Sequence, residues 1–115
     1  MNNNCVFCKI IKQEIPADIV YEDDDVLAFL DIRAQAPVHI LLVPKVHIEK
    51  VSDLNENVSY IVSKLVLAAN KIARDKGLNE DGYRLVFNCG ENAGQEVLHL
   101  HLHLLGGRKF TWPPG

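Results

Sequence analysis

The chain has 115 residues, 48% of them hydrophobic, and a formal net charge of −3. That length and apolar share suit one globular domain over residues 1–115 with a modest core, which a dimer would supplement. The acidic balance excludes a basic face for nucleic acid, and Pro, His or charge interrupts every apolar run before it reaches signal-peptide or membrane-spanning form. A soluble, cytoplasmic protein with no membrane partner is expected. The start, Met1-Asn2-Asn3-Asn4, is polar. Next comes Cys5-Val6-Phe7-Cys8, which holds two of the three cysteines and in a reducing compartment suggests thiols or metal ligands rather than a disulfide. Cys5 to Gln13 is predicted to form a short helix with both sulfurs on one face, ended by Glu14-Ile15-Pro16.

Ile19-Val20-Tyr21 and Val26 to Leu30 read as a hairpin around a solvated acidic turn, Glu22-Asp23-Asp24-Asp25. His39 to Val43, between Pro37 and Pro44, reads as a central strand. Ser52 or Asp53 is positioned to cap a long helix. Its apolar stripe is Val58, Ile61, Val62, Leu65, Ala69, Ile72 and Ala73, and Gly77 would end it. Tyr83 to Asn88 and Glu96 to Leu105 complete the strands, joined by the turn-forming run Cys89 to Gln95. Strands, one long helix, then strands, without a βαβ rhythm, predict an α+β fold with an antiparallel sheet.

Three of the five histidines alternate in His99-Leu100-His101-Leu102-His103. A period of two belongs to a strand, so the rings are expected on one face and Leu98, Leu100, Leu102 and Leu104 on the other. Three imidazoles in register bring six ring nitrogens that need partners. At about 3.3 Å per residue the outer two lie roughly 13 Å apart and cannot share one ligand atom, so the rings need different roles.

The segment from Gly94-Gln95-Glu96 through the alternating histidines to Leu104-Leu105-Gly106-Gly107-Arg108 strongly resembles the signature of the histidine-triad (HIT) superfamily, and specifically its nucleotide-binding branch. Phe7 with Lys9-Ile10-Ile11, Gln35-Ala36-Pro37 with His39, Pro44-Lys45 with His47-Ile48, and Trp112-Pro113-Pro114-Gly115 match that branch in the same order. The resemblance implies a HIT-like fold: a five-stranded antiparallel sheet, one long and one short N-terminal helix, and a sheet continued across a homodimer. It also implies a hydrolase that cleaves purine nucleoside 5′-phosphoramidates to a nucleoside monophosphate and an amine.

By the same resemblance His101 is the nucleophile, forming a nucleotidyl-histidine that water then cleaves. His103 contacts phosphate or helps protonate the leaving group, and His39 supports the cluster. Asn88, Gly94 and Gln95 match positions that hold phosphate or the reacting oxygens, and Asp31 matches the ribose-binding carboxylate. Taken alone, these read as turn residues and a strand end. Phe7, Ile10, Ile15, Phe29, Ile32 and Leu41 would wall the base pocket, and by themselves read as ordinary core. Glu96 departs from the serine of animal members, so no phosphate contact is assigned to it.

Related members with the N-terminal Cys pair bind structural zinc, which here implies Cys5, Cys8, His47 and His99 as the ligand set. No organic cofactor is implied. Two other readings use the same residues: a dinucleoside polyphosphate hydrolase or nucleotidyl transferase of the superfamily, and a zinc-stabilised, non-enzymatic nucleotide-binding module.

Overall fold

Alternating apolar residues in three adjoining strands give the sheet two covered faces. The computed structural model describes residues 4–115; the polar start at residues 1–3 lies outside the described residues. Its elements run α1 (Val6–Ile11), β1 (Ile19–Glu22), β2 (Val26–Leu30), β3 (Val38–Pro44), α2 (Tyr60–Asp75), β4 (Tyr83–Val86) and β5 (Leu102–Gly106), with short 3-10 turns at Val51–Asp53 and Glu91–Ala93. The strands form one antiparallel five-stranded sheet in the order β1-β2-β3-β5-β4, so β3 is central as expected. On one face Val26, Ala28, Ile40, Leu42, Leu102 and Leu104 pack with Ile61, Leu65, Ala68, Ala69, Ile72 and Ala73 of α2. The opposite face sets Leu27, Phe29, Leu41 and Val43 against Cys5, Phe7, Cys8 and Ile10 of the N-terminal segment. The fold is α+β. Among the described residues no helix is long and apolar enough to cross a membrane.

Several boundaries differ from the sequence expectation. The long helix starts at Tyr60, after Ser59, and neither Ser52 nor Asp53 caps it; both belong to the 3-10 turn, which Leu54 breaks with an extended conformation. Asn55 then accepts the N–H of Asn57 in a local turn that competes with helix. At its other end α2 closes as predicted: Gly77 takes φ 74°, its N–H reaches the carbonyl of Arg74, and Leu78 N–H reaches that of Ala73. Helix α1 stops before Pro16 has any effect. Gln13 takes the left-handed conformation at φ 65°, with Gln13 N–H on Ile10 O and Glu14 N–H on Lys9 O.

The acidic turn is more than solvated charge. Asp23 Oδ1 accepts the N–H groups of Asp25 and Val26, both at 2.8 Å, and Tyr21 Oη donates to its Oδ2 at 2.6 Å. Burial works against ionisation there, yet these hydrogen bonds outweigh it and hold the carboxyl below its ordinary range.

The last strand is also shorter than expected. The chain bends over residues 97–99, Leu100 N–H bonds the carbonyl of Ile48 at 2.6 Å, and ladder pairing begins only at Leu102. Leu100, Leu102 and Leu104 do point into the main core, but the bend leaves Leu98 54% exposed.

Candidate active site and metal cluster

Strand register brings the histidines together. His103 on β5 pairs with Leu41 of β3 and Val86 of β4, while His39 pairs with Leu105, so His39 and His103 are diagonal neighbours with ring centroids 5.2 Å apart. His101 precedes the strand, 5.0 Å from the His103 ring, and Phe7 of α1 packs edge-on against both His101 and His99. His39, His99 and His101 are buried.

Hydrogen-bond partners assign the protons. His101 Nδ1 lies 2.7 Å from the backbone carbonyl of His99, and only an N–H can face that oxygen, so the neutral ring keeps a lone pair on Nε2. Gln35 N–H donates to His39 Nδ1 at 3.0 Å, which places the His39 proton on Nε2. That Nε2–H faces His103 Nδ1 at 2.9 Å and Asp31 Oδ2 at 3.3 Å. His103 therefore accepts at Nδ1 and carries its proton on Nε2, a buried atom with no partner among the described residues. Burial, with the neighbouring His101 and His39 rings, pushes His103 down to about 4; burial also lowers His39, against the opposing charge of Asp31. Asp31, His39 and His103 converge closely enough for a metal ion, but Gln35 already occupies the His39 lone pair. A metal on Nε2 would require that ring to lose both protons, so this group reads as a proton network.

A cleft of about 860 Å³ opens beside these rings. It is lined by His39, His101 and His103, by Asp31, Asn88 and Gly94, and by Phe7, Ile10, Ile15, Phe29, Ile32 and Leu41. The polar groups and the apolar wall expected from the sequence thus share one cavity, with Ile32 at its rim, 96% exposed. Gln95 is the exception. Its Oε1 accepts from Gly90 N–H and its Nε2 donates to the carbonyls of Glu49 and Val97, so the side chain closes the 90–97 loop and fastens it to the segment at Glu49 instead of lining the cleft. Glu96 does line it, turned toward Arg33 at 3.8 Å, both side chains exposed. The sequence assigned no cleft role to Arg33, Gln35, Asp18 or Val97, which also line it. Arg33, Gln35 and Val97 lie close in sequence to Asp31, His39 or the 94–96 loop, whereas Asp18 had no such signal. A smaller groove of about 190 Å³ beside α1 holds none of the histidines.

Behind Phe7 the second cluster forms. Cys5, Cys8, His47 and His99 bring four donor atoms within 4.8 Å of one another. Cys5 Sγ is 3.3 Å from His99 Nδ1, Cys8 Sγ is 3.3 Å from His47 Nδ1 and 3.6 Å from His99 Nδ1, and the two Nδ1 atoms are 3.1 Å apart. A tetrahedron with zinc–sulfur bonds of about 2.3 Å and zinc–nitrogen bonds of about 2.0–2.1 Å has S···N edges of about 3.6 Å and N···N edges of about 3.3 Å. The four atoms fit that pattern. His99 Nε2–H donates to the carbonyl of Pro44 at 2.9 Å, which orients the ring and leaves Nδ1 free to ligate. Burial pushes His99 down to about 4 and so keeps that lone pair unprotonated. These residues could hold a metal ion.

Comparison with known proteins agrees with this geometry. The HIT domain family matches residues 12–110. An uncharacterised HIT-like protein of Synechococcus elongatus is 51% identical over 115 residues, covering 100% of both chains. A protein of Escherichia coli K12 named purine nucleoside phosphoramidase is 49% identical over 108 residues, 94% of this chain and 91% of the relative. Among solved structures, a HIT family hydrolase from Legionella pneumophila superposes with a TM-score of 0.95 at 55% identity, covering 97% of this chain and 100% of that one. A histidine triad protein from Clostridium difficile gives 0.94 at 48% identity, covering 96% of each. With its alternating histidines, five-stranded sheet and cleft in place, the chain belongs to the HIT domain family.

Proposed function

We propose that the chain is a hydrolase that cleaves purine nucleoside 5′-phosphoramidates to a nucleoside monophosphate and an amine. One observation carries the reading: the 2.7 Å contact from His101 Nδ1 to the His99 carbonyl, which leaves a lone pair on Nε2 in a ring that lines the cleft. The relative named purine nucleoside phosphoramidase, at 49% identity, supports the choice of substrate.

The first step forms a bond from His101 Nε2 to phosphorus and breaks the P–N bond to the amine, which leaves with one added proton. Water then attacks the nucleotidyl-histidine, the His101–phosphorus bond breaks to return the free ring and a nucleoside monophosphate, and the proton released by the water replaces the one taken up by the amine. His103 Nε2–H is aimed at the phosphoryl oxygens or the departing nitrogen. Oriented N–H donors in a buried site need little reorganisation as charge develops. Asp31 accepts from the ribose hydroxyls, Asn88 and Gly94 border the phosphate, and Phe7, Ile10, Ile15, Phe29, Ile32 and Leu41 enclose the base.

Zinc is the metal we assign to Cys5, Cys8, His47 and His99, where it would supply a structural cross-link between α1 and the sheet. We also propose a cytosolic homodimer in which the outer strand β4 continues the sheet. Trp112, 83% exposed, offers it contact area.

An adenosine 5′-phosphoramidate and diadenosine polyphosphates, assayed in parallel with wild type and His101→Ala, test the reading. Expected are preferential phosphoramidate turnover, a nucleotidyl adduct located on His101 by mass spectrometry, and loss of turnover with retained nucleotide binding in the variant. Preferential polyphosphate cleavage would select the other superfamily reaction. Absence of all turnover would select a binding module.

A further inference from the structure

We propose that Arg108, beyond the end of β5, is a positioning residue that sets the proton arrangement of His39 and, through it, that of His103. The Nε–H of Arg108 donates to the backbone carbonyl of Gln35 at 3.0 Å, and it is the N–H of this same Gln35 that donates to His39 Nδ1. A four-residue relay thus runs from the exposed C-terminal segment to the cleft: Arg108 holds Gln35, Gln35 protonates nothing but fills the Nδ1 lone pair of His39, and His39 Nε2–H faces His103 Nδ1.

An isolated hydrogen bond from an exposed arginine would be a weak hold. This guanidinium is fixed from other directions. It lies 4.2 Å from the centroid of the Phe110 ring, its Nη1 donates to the carbonyl of Lys109, and Arg84 lies 5.1 Å from the same ring while bonding the carbonyl of Thr111. A second contact bears on the same loop. Gly107, at φ 89°, approaches Pro37 so closely that an added Cβ would lie 2.9 Å from the proline Cβ. The segment after β5 therefore clasps the 35–37 loop at two points.

The chemical consequence follows from donor and acceptor matching. If Gln35 N–H moves out of reach, His39 can take its proton on Nδ1 and present a bare Nε2. That atom would face the His103 Nδ1 lone pair at 2.9 Å, and His103 relieves the conflict by moving its proton to Nδ1. The cleft then loses its His103 Nε2–H donor. Asp31 Oδ2, 3.3 Å from His39 Nε2, favours the productive arrangement, and Arg108 reinforces it from the opposite side of the ring. The kinetic part of this inference rests on the phosphoramidate hydrolase reading; the proton arrangement does not.

The test uses the full-length chain, wild type, Arg108→Ala and Arg108→Lys, observed by long-range 1H–15N spectra of the imidazoles and by phosphoramidate turnover. Wild-type His39 is expected as a single Nε2–H form. In Arg108→Ala its two ring nitrogens should move toward averaged shifts, and kcat should fall roughly tenfold with KM within about twofold, because misaligned donors act on the reacting state. Arg108→Lys should recover part of both. An unchanged His39 pattern in Arg108→Ala overturns the proposal whatever happens to kcat. Wild-type protein that turns over no phosphoramidate removes the hydrolase reading, while the ring spectra still decide the role of Arg108. Should Arg108→Ala fail to fold, Phe110→Leu, which removes the ring against the guanidinium and no charge, must shift the His39 pattern in the same direction for the proposal to stand.

Discussion

His39 Nε2 lies 2.9 Å from His103 Nδ1 and 3.3 Å from Asp31 Oδ2, so one proton is shared between a second imidazole and a carboxylate. This places a hydrogen-bonded chain of alternating donors and acceptors on the floor of the cleft. The polarity that reaches the cavity from His103 is decided by a backbone N–H on the far side of His39.

Burial of that chain makes stability depend on pH. His103 titrates at about 4 in the fold, against about 6.5 in an unfolded chain, and His39 is shifted in the same direction. Between these values the unfolded state binds more protons. Stability is therefore fully present above pH ~6.5 and falls as the pH drops toward 4. Urea midpoints at pH 7.0, 5.5 and 4.5 should decline for wild type and decline less for His103→Gln; parallel declines would sink the assignment.

The cysteine–histidine cluster predicts a metal-dependent fold. Wild type should carry one zinc per chain, lose several degrees of melting temperature on chelation, and regain them when zinc is restored. Cys8→Ser should bind no stoichiometric zinc and should melt at a temperature insensitive to chelator. Unchanged zinc content in that variant would rule out the ligand set.

Helices α1 and α2 end in the same hydrogen-bond pattern, one on Gln13 and the other on Gly77. A side chain in the left-handed region costs about 1–2 kcal/mol, and glycine's extra freedom in the unfolded chain returns part of that gain. Gln13→Gly is expected to stabilise by roughly 0.5–1 kcal/mol in equilibrium denaturation. A loss of stability would show that the Gln13 side chain makes a compensating contact.

Leu102 and Leu98 belong to one sequence alternation but meet different surroundings, 1% and 54% exposed. Leu102→Ala should cost about 2–5 kcal/mol through lost burial and a residual cavity. Leu98→Ala should stay within about 0.5 kcal/mol. Equal costs would contradict the bend before β5.

What could be read from the sequence follows physical scale. The Leu100, Leu102 and Leu104 alternation and the stripe along α2 each repeat one local preference many times, and both were legible. The cap of α2 was not, because Ser52 and Ser59 carry the same local chemistry and only the turn at Asn55 distinguishes them. Convergence of Cys5, Cys8, His47 and His99 depends on the N-terminal helix packing against segments as far as 94 residues away in the chain, and the ligand set came from family resemblance rather than spacing. Gln95 shows the limit of that resemblance: its position was marked for substrate, while its amide bonds two backbone groups of its own loop and the carbonyl of Glu49. Backbone partners such as Gln35 N–H leave no mark in a side-chain alphabet.

His99 serves two neighbours with two different parts of itself. Its ring joins the thiol cluster, whereas its carbonyl faces His101. Every amino acid has that carbonyl. The two services are therefore separable in descent: a lineage could exchange the ring, along with Cys5, Cys8 and His47, for an apolar plug of similar volume. The His101 ring would keep its orientation provided the main chain followed the same path. The side chain at position 99 thus bears on how the N-terminal helix is fastened, and the carbonyl contact that orients His101 does not require an imidazole there.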